Sequence, residues 1–80
     1  MITSGQIRAA RAMLKWTAAQ LADVSGVGVA TVRRIELAEK LPSSNVKTIE
    51  LIRVAFESAG IIFVGSPNND PGVIHTSPKQ

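Results

Sequence analysis

The most restrictive stretch of this sequence runs from Thr17 to Glu36 and reads TAAQLADVSGVGVATVRRIE. Thr17 followed by Gln20 has the spacing of a capping box, so a helix should begin after Thr17. Gly26 should end that helix, because glycine adopts a left-handed exit conformation without steric cost. Gly28 is a weak N-cap for another helix of about nine residues. The stretch therefore predicts two short helices joined by a glycine-centred turn.

Apolar residues at helical spacing predict how these two helices pack. Steps of three and four residues place one face of each helix inward. Small Ala22 allows the helices to approach closely, and Val27 should pack under the turn. The side chains that we expect to hold the pair together are Leu21, Ala22, Val24, Val27, Val32 and Ile35.

A helix is predicted on each side of this pair. Thr3 with Gln6 is a second capping-box pattern, so a first helix should begin there and end near Leu14 or Lys15. Trp16, the single tryptophan, is expected to pack as a core plug where the first and second helices meet. The apolar face of this first helix should consist of Ile7, Ala10, Met13 and Leu14.

The fourth helix should follow a loop over residues 41–45. Pro42 disfavours helical geometry in the residue before it, and Ser44 or Asn45 offers a new cap. The helix should then run from about Val46 to Ala59, with Gly60 in the left-handed position that ends it. Its predicted apolar stripe consists of Ile49, Ile52, Ala55, Phe56 and Ala59.

The tail after Gly60 has the composition of a β hairpin. Residues 61–64 and 72–76 are strand candidates, and the turn-rich residues 65–71 lie between them. An isolated hairpin is marginal in water, and its edge could accept strands of a second chain. We therefore predict a dimer interface at Ile61, Ile62, Phe63, Val64, Val73 and Ile74. The alternative is a hairpin packed on the fourth helix of its own chain, and residues 77–80 are predicted to be disordered.

Composition excludes several classes of protein. A chain of 80 residues makes one domain and buries only about 60% of its unfolded surface, which favours an oligomer. It has no cysteine and a single histidine, His75, so we predict no metal site and no cofactor. It also lacks the phosphate loops and the paired carboxylates that would indicate an enzyme. Its apolar runs fall far short of the ~20 residues of a membrane span, so we expect a soluble cytoplasmic protein.

Charge is distributed unevenly along the chain. Its formal net charge is +3, and residues 1–53 hold eight basic and four acidic side chains. A polyanion would therefore meet the N-terminal two thirds. Charge alone does not separate a nucleic-acid partner from an ordinary soluble domain, so the interpretation depends on the paired helices.

Two helices joined by such a turn form a helix-turn-helix, in which the first helix lies across the DNA backbone and the second enters the major groove. The segment 6–36, QIRAARAMLKWTAAQLADVSGVGVATVRRIE, resembles the Xre and Cro type of helix-turn-helix regulator, the family of lambdoid phage repressors and many small bacterial transcription factors. The resemblance covers roughly residues 3–59, and the tail is similar to a variant end of small bacterial members. It implies that residues 28–37 form the recognition helix.

Carried onto matching positions, the resemblance implies DNA contacts by Thr17, Val29, Ala30, Thr31, Arg33 and Arg34, with Thr17 on a phosphate. Arg34 is the expected base reader, since a guanidinium pairs bidentately with guanine, and Arg33 is the expected phosphate contact. Phage members often carry Gln where this chain has Val29 and Ala30, so specificity should depend more on the arginines and on DNA shape. The alternative is that both arginines are only a solvated pair on an exposed helix.

The resemblance also implies two supporting sets of residues. Arg11 and Glu36 occupy positions where the family pairs an arginine of the first helix with a glutamate of the third, so we predict a largely buried ion pair that fixes the angle between them. Backbone contacts are expected around the loop before the fourth helix, although these side chains could equally be caps and solvent-facing lysines. They are Lys40, Ser43, Ser44 and Lys47.

These observations predict a mainly α, four-helix lambda repressor-like DNA-binding domain with a short C-terminal β hairpin. Residues 1–60 would be the DNA-binding domain, residues 61–76 the hairpin tail and residues 77–80 a disordered end. We expect a homodimeric bacterial or phage transcriptional regulator, a repressor, on a near-palindromic double-stranded operator. The alternative is an antitoxin-like or other protein-interaction module whose tail binds a toxin or another protein.

Overall fold

The computed structural model describes residues 2–38 and 45–76. Within these ranges, four helices precede a two-stranded antiparallel sheet, which confirms the predicted architecture. The elements are α1 (Ser4–Leu14), α2 (Ala18–Ser25), α3 (Val29–Leu37), α4 (Val46–Ser58), β1 (Ile61–Ser66) and β2 (Asn69–His75). The predictions made for Lys40, Ser43, Ser44 and residues 77–80 lie outside the described residues.

Both predicted capping boxes are confirmed. The hydroxyl of Thr3 accepts the Gln6 backbone N–H at 3.0 Å, and the Gln6 Oε1 accepts the Thr3 N–H at 2.8 Å. Thr17 and Gln20 repeat this arrangement at 3.0 and 2.7 Å. Each box satisfies two of the backbone N–H groups that a helix start leaves free. The predicted exit at Gly26 is also confirmed, with φ at 76°.

The core lies where the four helices and β1 meet. Phe56, at its centre, is 0% exposed. Trp16 stacks on it with ring centroids 5.7 Å apart, and Phe63 meets it edge-on at 5.9 Å. Each such aromatic pair contributes about 0.5–1.5 kcal/mol beyond its buried area. Trp16 thus packs against the core at the predicted junction, but it remains half-buried.

Two predicted core residues lie on the surface. Met13 is 45% exposed and Val24 is 55% exposed, so neither belongs to the apolar face assigned to it. In α2, Leu21 and Ser25 are buried and define the inward direction. Successive helical residues are turned by about 100°, so Val24 points away from this face although it follows Leu21 by three residues. The predicted role of Val24 in holding α2 and α3 together is wrong for this reason.

The hairpin is longer than predicted and lies on its own chain. Phe63 pairs with Val73 and Val64 with Gly72, and a register shift follows between Val64 and Ser66. Gly65 adopts a φ of 76° at this bulge, where an added Cβ would lie 2.2 Å from the Asp70 carbonyl oxygen. Only glycine fits such a close approach of backbone.

The two faces of the hairpin have different surroundings. Ile61 is buried, and Phe63 and Val73 pack against the core of their own chain. Ile62, Val64 and Ile74 are 47%, 36% and 49% exposed, since residues alternate between the faces of a strand. Three of the six residues predicted at a dimer interface are therefore covered within the chain. We call the other three, Ile62, Val64 and Ile74, the outer hairpin face.

Candidate nucleic-acid interface

One side of α3 is free of the rest of the molecule. Ala30, Arg33, Arg34 and Leu37 are all exposed and recur at the i, i+3, i+4 and i+7 spacing of a single helical face. We call these four residues the outer stripe. Val32 and Ile35 on the opposite side are both 0% exposed and hold the helix against the core. The helix therefore presents one continuous surface that carries two cations.

The remaining predicted contacts of α3 lie beside this stripe. Val29 and Thr31 are half-buried, whereas Ala30 between them is exposed. The first turn of α3 thus offers the Ala30 methyl group most directly, with Val29 and Thr31 at its edges. Gly28 supplies no side-chain cap to this helix.

The arginines of the outer stripe differ from the arginine of α4 in their ion pairs within the described residues. No ion pair of Arg33 or Arg34 with another residue of 2–38 or 45–76 is found, and the same holds for Lys47. By contrast, Arg53 on α4 is held by Glu50 and Glu57, with its Nη1 2.8 Å from both Glu57 oxygens. A paired arginine must give up existing contacts before it binds a phosphate, whereas an unpaired one need not.

Thr17 and Lys47 lie at the starts of the two helices next to α3 in the chain. Thr17 is exposed and its hydroxyl accepts from the Gln20 N–H, which leaves the hydroxyl hydrogen free to donate. Lys47 is exposed in the first turn of α4, whose cap is the Asn45 side chain accepting from the Thr48 N–H at 2.8 Å. Within residues 2–38 and 45–76, neither the Thr17 hydroxyl hydrogen nor the Lys47 ammonium group has a recorded partner that a phosphate would have to displace.

The structure joins Arg11 to Glu36 through two parallel hydrogen bonds. Arg11 Nε lies 2.8 Å from Glu36 Oε2, and Nη2 lies 2.9 Å from Oε1. A third bond runs from Arg11 Nη1 to the Trp16 carbonyl at 2.9 Å. The bond to Glu36 is the main reason that the pKa of Arg11 is raised. The Glu36 side chain is 10% exposed and that of Arg11 28%, so the carboxylate is the more deeply placed partner.

Two further side chains that were not predicted to do so hold α3. Ser4 Oγ donates to the Ile35 carbonyl at 2.7 Å, and Arg8 Nη1 donates to the carbonyls of Glu36 and Ala38. These acceptors are carbonyls at the C-terminal end of α3, where the helix leaves its last C=O groups unpaired. The sequence did contain a signal, because Ser4, Arg8 and Arg11 recur at i, i+4 and i+7 on one face of α1.

The comparison with protein families agrees with this geometry. A helix-turn-helix family model, HTH_3, matches residues 7–46, half of the chain. The chain belongs to this Xre/lambda repressor-like helix-turn-helix family. It is therefore a DNA-binding transcription regulator, and α3 occupies the position of the second helix of the motif. The match ends in the first residue of α4, so the hairpin lies outside it.

A search of curated proteins and a search of solved structures each returned no match. None of the helices in residues 2–38 and 45–76 has the length and apolar composition to cross a membrane. In the same part of the chain, no three His, Asp or Glu side chains converge as a metal site would require.

Proposed function

We propose that two copies of this helix-turn-helix regulator bind a near-palindromic operator, each placing α3 in the major groove, and that binding represses transcription. The outer stripe is the observation that carries this proposal. It joins two arginines without ion-pair partners in the described residues to the small Ala30, on the helix that the family uses for recognition. A helix with this surface fits a groove that is negatively charged and about 12 Å wide.

Within the stripe, Arg34 reads a base and Arg33 contacts a phosphate. A guanidinium bonds bidentately to guanine O6 and N7, which is the commonest specific contact between a side chain and a base. Ala30, Val29 and Thr31 contribute apolar contact, for instance with a thymine methyl group. Phosphate contacts from Thr17 and Lys47 fix the register, and Lys40, Ser43 and Ser44 are further candidates by sequence position.

The outer hairpin face pairs the two copies. Ile62 and Ile74 lie directly opposite each other on neighbouring strands, and Val64 extends the patch. Contiguous apolar side chains of this kind on a small domain are typical of an interaction site. On a near-palindromic operator, the two recognition helices of such a dimer would enter the major groove about 34 Å apart, one turn of DNA.

A salt series tests the DNA-binding proposal. The affinity for a generic duplex should fall steeply as salt rises, because bound phosphates release their counterions. Lys15→Gln is the charge-matched control for substitutions of Arg33 or Arg34. Lys15 is exposed at the end of α1, and its substitution lowers the net charge by the same amount. Absence of binding at low salt would refute the proposal. Selection of duplexes from a random pool would then give the operator.

A second candidate function rests on the same exposed hairpin face. A different protein, such as a toxin, could cover Ile62, Val64 and Ile74 in place of a second copy. Solution mass separates the two possibilities. A protein that remains monomeric at high concentration and on its selected duplex would favour the foreign partner, and a dimer would favour the self-contained regulator.

A further inference from the structure

The buried polar side chains of this protein are concentrated in one place. Among the described residues, Thr3, Ser4, Gln6 and Ser25 are the buried polar ones, and the first three belong to the N-cap and first turn of α1. A buried polar group destabilises a protein unless it is hydrogen-bonded. None of the buried side-chain N or O atoms in the described residues lacks a partner. The partners of these three residues therefore show what this turn connects.

Gln6 binds the hairpin. Its Nε2 donates to the Val64 carbonyl at 2.9 Å and to the Gly72 carbonyl at 2.8 Å. Val64 and Gly72 are cross-strand partners, so one amide group holds both strands where the bulge begins. The Oε1 of the same amide accepts from the Thr3 N–H. Both Nε2 hydrogens and the oxygen are thus engaged, which fixes the side chain in one orientation.

Ser4, two positions earlier, binds the recognition helix. Its hydroxyl donates to the Ile35 carbonyl at 2.7 Å, and the residue is 0% exposed. Thr3 completes the turn by accepting the Gln6 N–H and donating its own N–H to Gln6. A chain of direct hydrogen bonds and one helical turn therefore runs from the hairpin, through α1, to the C-terminal end of α3.

We propose that Ser4 and Gln6 are positioning residues that set the direction of the recognition helix relative to the hairpin, and thereby the half-site spacing that the dimer reads. This inference rests on the proposed function, in which the hairpins pair and each α3 enters DNA. Each added base pair moves two half-sites apart by about 3.4 Å and rotates them by about 34°. A dimer with a rigid junction accepts one spacing, whereas a loosened junction accepts neighbouring ones.

The test uses Gln6→Met and Ser4→Ala in the full chain. Methionine has a similar length but cannot donate to Val64 and Gly72. Gln20→Met is the matched control, because Gln20 occupies the same capping-box position in α2 and, among the described residues, bonds only to the N-cap Thr17 of that helix. The probes are duplexes with two half-sites selected by the wild-type protein, with the spacer at its selected length, one base pair shorter and one or two longer.

The wild-type protein should prefer one spacer by about tenfold or more, as expected of a site held to within about 0.5 Å. Gln6→Met and Ser4→Ala should reduce this preference to about threefold or less, while Gln20→Met should retain it. Retention of full spacer preference by both α1 variants would overturn the proposal. Ser4→Ala keeps the test decisive if Gln6→Met does not fold.

A second measurement needs no DNA and separates failure of the inference from failure of the proposed function. Residual dipolar couplings of hairpin and α3 amides should fit one alignment tensor in the wild-type protein. In Gln6→Met the hairpin couplings should depart from the tensor that fits the helices. If the wild-type protein bound no DNA, the proposed function would fail, and these couplings would still decide whether the junction is rigid. Unchanged couplings in Gln6→Met would overturn it.

Discussion

The first turns of α1 and α2 share a sequence pattern and local hydrogen bonds, but they differ in what surrounds them. Thr3 and Gln6 are 6% and 4% exposed, whereas Thr17 and Gln20 lie at the surface. The buried box binds the hairpin, whereas the exposed box leaves the hydroxyl hydrogen of Thr17 free to donate. One local motif is therefore part of the packed interior at one helix and open to solvent at the next. The difference lies in long-range contacts, which join Gln6 to residues 58 and 66 positions away.

The largest loss of stability should follow from breaking the ion pair between Arg11 of α1 and Glu36 of α3. Arg11→Met leaves the Glu36 carboxylate, 10% exposed, without its two-bond partner. We expect a loss of about 3 kcal/mol in the free energy of unfolding, the low end for a broken buried pair because Arg11 is partly exposed. Urea unfolding at neutral pH measures it. The double variant Arg11→Met with Glu36→Gln should recover part of the loss. If the changes in the free energy of unfolding of the two single variants simply added in the double variant, the pair would be uncoupled.

Substitution of the glutamine should lower the free energy of unfolding by different amounts in the two capping boxes. Gln6→Met leaves the Thr3 N–H buried and unpaired and removes both donors to the hairpin, so it should lower the free energy of unfolding by about 2 kcal/mol. Gln20→Met exposes the equivalent Thr17 N–H to water and should cost about 0.5 kcal/mol. Chemical denaturation of both variants under one set of conditions measures the difference. Equal losses would show that burial does not distinguish the boxes.

This contrast also marks how far the fold could be predicted from sequence. Helix starts at Thr3 and Thr17, and exits such as Gly26, depend on neighbours within four residues, so local patterns located them. The exposure of Val24 and the burial of Ser4 depend on where α3 and the hairpin pack. A three-residue step from Leu21 does not distinguish the two sides of the inward face, which is why Val24 was misplaced.

For the interface, sequence and resemblance placed the cations on α3 but not the residues that hold that helix. Arg33 and Arg34 are adjacent in a recognisable motif. Arg8 lies outside the predicted apolar face of α1 and is exposed, yet its guanidinium binds the carbonyls of Glu36 and Ala38. Every residue has a backbone carbonyl, so the sequence does not show which carbonyl accepts a hydrogen bond from a distant side chain. The spacing of Ser4, Arg8 and Arg11 indicates a shared face of α1, but their acceptors on α3 are identified only when the two helices are placed together.

Substitutions of the two arginines of the outer stripe should affect DNA binding in different ways. Arg34→Ala should weaken binding to the selected operator by about 1.5 kcal/mol and relax the base preference at one position. Arg33→Ala should weaken all duplexes alike and lower the slope of log affinity against log salt by about 1. Titration of selected and generic duplexes at several salt concentrations measures both quantities. Exchanged behaviour of the two variants would reverse the assignment of base reader and phosphate contact.

The smallest effect is expected where a polar cluster lies wholly at the surface. On α4 the hydrogen bond from Arg53 lowers the pKa of the Glu50 carboxyl below its ordinary value. A carboxylate with a lowered folded-state pKa stabilises the protein above its unfolded-state pKa, and this contribution is lost as pH falls through the folded-state value. Glu50 is solvent-exposed, so the loss of its bond to Arg53 should change the stability at acidic pH only slightly. The change should be far smaller than the one that the loss of Arg11 causes at neutral pH. Carboxyl NMR titration of Arg53→Gln should move the Glu50 pKa upward, and an unchanged pKa would show that the pair does not persist in solution.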